Sequence, residues 1–131
     1  MKGFTLIEIL GVLIILGLIS LITVPVVSNI LKENKERLYD IQIQNIEDAS
    51  RNFVAENIFS LNLNKDEKIG IKIGKLKELG YLDPTLIDPS TNEDFSDDTS
   101  IIIENKSNDI IYTVCVNTDS DLDNLDYYGE E

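Results

Sequence analysis

The chain has 131 residues, with 11 Lys and Arg against 24 Asp and Glu, no His and one Cys, for a formal charge of −13. That length supports one small domain beside any membrane segment. So acidic a body is poorly suited to holding nucleic acid, since phosphate contacts require Lys and Arg, and no direct nucleic-acid binding is expected. The single thiol excludes an internal disulfide.

The first element is Met1-Lys2-Gly3-Phe4-Thr5-Leu6-Ile7-Glu8, followed by 23 uncharged residues from Ile9 to Leu31. At ~1.5 Å per residue that run makes a helix of roughly 35 Å, enough to cross a hydrocarbon core of ~30 Å. A secretory signal carries a basic start, a shorter apolar run and a small-residue cut site after it. Here Lys2 is the one basic residue before the run and no Ala-x-Ala follows it. Any processing site must therefore precede the apolar segment and leave it on the mature protein. Lys2 and the initiator amine precede the span, whereas Lys32, Lys35 and Arg37 follow it, so a count of basic residues alone places the C-terminal side in the cytoplasm.

After Leu31 the helical pattern continues in amphipathic form. Tyr39, Ile43, Ile46, Ser50 and Phe53 step by four and three, with Ala49 and Val54 on the shoulders of the same face. Asp40, Gln44, Glu47, Asp48 and Arg51 fall opposite. The spacing predicts one helix from about Phe4 to about Ser60, roughly 80 Å long. A rod of that length needs lipid, or other copies of itself, to cover its apolar N-terminal half. Within that half Pro25 lacks the N–H that would bond to Leu21, which predicts a kink. Gly17 weakens the same stretch by about 1 kcal/mol relative to Ala. Ser20 and Thr23 lie between them and can satisfy freed backbone groups.

From Leu61 onward the pattern is mixed. Lys68 to Ile73 alternates as a short half-buried strand, and Gly74 to Leu79 reads as a short helix closed by Gly80. Asp83-Pro84, Asp88-Pro89 and Ser90 to Asp94 are turn and loop chemistry. Ser100 to Glu104 and Ile110 to Val116 read as two strands joined by the turn Lys106-Ser107-Asn108-Asp109. Cys115 falls in an alternating apolar run and reads as a buried structural thiol. Residues from Asp119 onward read as an acidic, mobile tail. Asp119, Asp121, Asp123 and Glu130 occupy positions one, three, five and twelve of an EF-hand-like spacing, but Asn124 replaces the usual glycine. A run of solvated acids is the preferred reading there, with calcium binding as the alternative. The fold class is α+β: a long N-terminal helix, apolar then amphipathic, packed on a small antiparallel sheet. The divisions are 1–3, a leader; 4–31, an apolar membrane or filament-core helix; 32–60, its amphipathic continuation; and 61–131, a small head with an acidic tail.

Lys2-Gly3-Phe4-Thr5-Leu6-Ile7-Glu8, set at the start of a spanning segment, resembles the cleavage and methylation signature of type IV prepilins. The pseudopilins of type II secretion and DNA-uptake systems share that signature. The match is dense over about eight residues and compatible with the apolar run to Leu31; beyond residue 60 it is one of general layout. The resemblance implies a pilin-like fold and cleavage after Gly3 by a prepilin peptidase. It also implies N-methylation of the new terminus, Phe4, and a role for Glu8 in filament assembly. In the family a glycine and a proline at positions comparable to Gly17 and Pro25 bound a segment that can unwind, the leader lies inside and the head outside. The implied function is a structural pilin subunit, major or minor, stored as a single-pass membrane precursor and polymerised with itself and other pilins into a surface filament. The implied partners are the peptidase, an assembly platform protein and its ATPase, and the membrane.

A physical reason accompanies the role of Glu8: packed among helices without lipid, its carboxylate needs a partner, and the ammonium of Phe4 exists only after cleavage. That ammonium sits at the positive end of its own helix dipole and gains from a carboxylate nearby. A pseudopilin is the alternative within the family, and a single-pass anchored extracellular binding module is the alternative outside it. Catalysis finds no support, with no histidine, no basic partner for the thiol and no phosphate-binding glycine loop; no cofactor or metal is expected.

Overall fold

The computed structural model describes residues 2–116 and 125–129. Its elements are α1 (Leu6–Leu61), β1 (Lys68–Lys72), α2 (Ile73–Glu78), β2 (Ile87–Asp88), β3 (Glu93–Asp94), β4 (Ser100–Lys106) and β5 (Asp109–Cys115). One long N-terminal helix with a small antiparallel sheet makes the class α+β, as the sequence predicts. Two compact units divide the chain, residues 1–37 and residues 38–131.

In the first unit α1 starts at Leu6, two residues later than the pattern predicts, because Thr5 serves as its cap. The helix continues unbroken through Gly17 and Pro25. Ser20 and Thr23 do not serve the carbonyl that Pro25 orphans. Their hydroxyls donate to Leu16 O at 2.7 Å and Ile19 O at 2.9 Å, and Ser28 Oγ donates to Val24 O at 3.0 Å. Each hydroxyl is thereby satisfied inside its own helix. The helix is long and apolar enough to cross a membrane, and its most apolar 18-residue stretch has nothing buried.

The second unit forms around the amphipathic part of α1. Ile46, Ala49, Ser50, Phe53 and Val54 are buried there, and Tyr39 and Ile43 pack against the same cluster half-buried. They meet Ile71 of β1, Ile73 and Leu76 of α2, and Ile101 and Ile103 of β4. The sheet runs β1-β4-β5, all antiparallel, with Gly70 opposite Ile102 and Ile102 opposite Thr113. Alternation along β4 and β5 sends Ile101, Ile103, Tyr112 and Val114 toward the helix. The β4–β5 turn has Ser107 at φ 54° and Asn108 at φ 76°, the doubly left-handed geometry that matches the twist of a two-residue hairpin.

α2 ends as its glycine predicts. Gly80 lies at φ +85°, its N–H donates to Lys77 O at 3.2 Å, and the N–H of Tyr81 donates to Leu76 O at 2.9 Å. Three readings change. The loop chemistry around Asp88-Pro89 also folds a two-residue ladder, with Ile87 opposite Asp94 and Asp88 opposite Glu93. Cys115 is half-buried at the end of β5, since it alternates away from the inward-facing Val114. Residues 125–129 are docked rather than tail-like: the N–H of Gly70 donates to Asp126 O and the N–H of Tyr128 to Gly70 O, both at 2.9 Å. Asp119, Asp121, Asp123 and Glu130, the EF-hand-like set, lie outside the described residues.

Candidate functional site: the helix start

Gly3 and Phe4 precede α1 in exposed chain outside any helix or strand, and Phe4 is 85% exposed. A Cβ built on Gly3 meets nothing within 4 Å, so no neighbour in the chain itself requires a glycine there. The same is true of Gly11 and Gly17.

Glu8 is held by the helix start. Its Oε2 accepts from the backbone N–H of Thr5 at 2.8 Å and from Thr5 Oγ1 at 2.9 Å, while its own N–H donates to Thr5 Oγ1 at 3.4 Å. This is a reciprocal capping box, in which the cap residue and the acid three positions later satisfy each other's backbone donors. The carboxylate also lies against the positive end of the helix dipole. Thr5 is the residue that the sequence reading missed. Its signal was there, as Thr5-Leu6-Ile7-Glu8 is a Ser/Thr-x-x-Glu pattern immediately before an apolar run. Beside the box lies a shallow open recess lined by Phe4, Glu8, Ile9, Gly11, Val12 and Ile15. Gly3, Phe4 and Glu8 are thus gathered at one helix start, with Thr5 added to them.

A second recess, of about 570 Å³, opens on the head between α2 and the 94–97 loop, lined by Lys77, Pro84, Phe95 and Asp97. Lys77 Nζ pairs with Asp97 Oδ1 there at 2.8 Å. Among the described residues no group of three or more His, Cys, Asp or Glu is placed to hold a metal ion. No protein-family model matches this chain, and no curated protein and no solved structure matches it.

Proposed function

We propose that the chain is a structural subunit of a type IV pilus-like filament, processed between Gly3 and Phe4, methylated on Phe4, and polymerised through α1. The observation that carries the reading is an apolar helix half with nothing buried, led by an unencumbered Gly3–Phe4 bond and a carboxylate one turn in. Such a surface is stable only against lipid or against like helices. In the bilayer the capping box gives Glu8 partners of its own, so the carboxylate is tolerated before assembly. Removing residues 1–3 places an ammonium on Phe4, one residue before the cap. In a lipid-free bundle that ammonium and the Glu8 of a sister subunit supply the pair that a buried carboxylate demands. On this reading the protein is a single-pass membrane precursor that becomes a surface filament, a peptidase and a motor-driven platform act on it, and the fold is pilin-like.

Mass spectrometry of the natural N-terminus tests the cut: a mature chain beginning at methylated Phe4 is expected, and Gly3→Val is expected to abolish the loss of three residues. Electron microscopy of sheared surface material tests polymerisation. Glu8→Ala is expected to insert into membranes as the parent does yet give no filaments; normal filaments from it would refute the role. A natural product that keeps Met1 and never forms fibres fits the tethered binding module instead. Short periplasm- or wall-spanning fibres tied to a secretion or DNA-uptake machine fit the pseudopilin branch.

A further inference from the structure

The edge of β1 opposite β4 is occupied by the chain's own residues 125–129. Gly70 forms a parallel bridge with Tyr127, closed by the two 2.9 Å backbone bonds to Asp126 and Tyr128. Successive side chains of the segment go to opposite faces of the sheet, as in any added strand. Tyr128 meets the ring of Phe53 at 4.9 Å and 69°, on the core face. Tyr127 lies on the other face, its hydroxyl 3.4 Å from Ser100 Oγ and its ring 5.4 Å from Lys72 Nζ.

The fit at Gly70 is tight: a Cβ there would sit 2.7 Å from the Tyr127 ring and 2.8 Å from Leu125 Cδ2. A second close approach is at Gly129, φ +80°, where a Cβ would sit 2.9 Å from Lys75 Cε. Main-chain bonds for register, opposite faces for alternate side chains and a glycine on which the ring of the added strand rests are the parts of a strand-acceptor site.

We propose that this edge is a strand-acceptor groove for a Leu-x-Tyr-Tyr-Gly segment, and that it takes this segment from a second copy of the chain as well as from its own. Every contact that seats the segment belongs to this sequence, so a second copy presents the same complement. Exchange of an identical element between protomers needs no new chemistry. The covalent connection spans the distance to its own head with slack to spare. Residues 117–124 are eight in number, with an extended reach of ~28 Å. The three strand spacings from β5 to the docked segment amount to ~14 Å. The inference concerns the head alone and does not rest on the filament reading.

The test mixes two full-length chains in detergent, each labelled at Asn52→Cys in a Cys115→Ser background. One carries Tyr127→Ala and Tyr128→Ala, which spoils the segment and leaves the groove. The other carries Gly70→Ala, which blocks the groove and leaves the segment. Energy transfer between them is expected to be at least threefold above that between two differently labelled Gly70→Ala chains. Equal transfer in the two pairings overturns the proposal. Should dichroism show Gly70→Ala to be unfolded, a labelled peptide of Leu125 to Glu131 replaces that chain. It is expected to bind the spoiled-segment chain at least tenfold more tightly than the unaltered chain, whose own segment competes at millimolar effective concentration. Equal binding to both, or none at millimolar peptide, overturns it as well.

Discussion

At Gly80 the backbone is left-handed, φ +85°, and a Cβ built there meets nothing within 4 Å. Substitution therefore isolates conformational strain from crowding. Gly80→Ala is expected to destabilise the head by about 1–2 kcal/mol in urea unfolding, with an unchanged m-value. A loss of only a few tenths would show that the turn relaxes freely. This glycine was legible because a helix end and its closing residue are neighbours in sequence. Gly70 was not, because the ring that excludes a side chain there comes from Tyr127, and no local pattern encodes that approach. Titration gives a second prediction. Burial raises the Tyr112 hydroxyl above its ordinary value, with Arg51 pulling it partly back, and the bond to Glu56 raises Tyr81. The folded head therefore holds these protons more tightly than the unfolded chain does. Their contribution is complete below the unfolded tyrosine value of about 10 and is lost as pH rises beyond it. Thermal melts across pH 8–11.5 should hold level to about 10 and then fall; a midpoint rising above pH 10 would contradict the assignment.

Among the elements, α1 was the easiest to read and β2–β3 the hardest. The stripe from Tyr39 to Phe53 repeats at helical spacing over four turns, so its inward face was unambiguous, whereas a two-residue ladder leaves no period to detect. Thr5 is an intermediate case: its Thr-x-x-Glu spacing is plain in the sequence, but that the Glu8 carboxylate accepts from Thr5 is fixed only in the structure. The stripe itself makes a sharp contrast. Phe53 is fully buried, with Tyr81 edge-on at 5.7 Å and Tyr128 at 4.9 Å, while Phe59 is 97% exposed on the same helix. Phe53→Ala is expected to cost about 3–5 kcal/mol and to loosen the docked residues 125–129. Phe59→Ala is expected to change stability by no more than about 0.5 kcal/mol. Denaturant curves of the two variants side by side check both.

For the whole molecule, charge divides along the same boundary as the two compact units. Residues 1–37 hold four cations and three carboxylates, net +1, and residues 38–131 hold the remaining seven and 21, net −14. Heads so charged repel one another, and salt shortens that repulsion from a Debye length of ~30 Å at 0.01 M to ~8 Å at 0.15 M. Self-association should accordingly quicken as salt is raised over that range; light scattering that instead slows would assign the contact to opposite charges. The apolar half, the candidate site at Gly3, Phe4 and Glu8, and the helix stripe are all patterns of near neighbours in sequence. The closing of the sheet by residues 125–129 is not, since it joins the two ends of the head through space. The rings gathered about Phe53 have an optical consequence. The chain has five tyrosines and no tryptophan, and every tyrosine lies between positions 39 and 128. Intrinsic tyrosine emission is therefore a reporter of residues 38–131 alone, and residues 1–37 contribute nothing to it. An experimenter can watch one melt while the other stays dissolved in detergent, without attaching a dye.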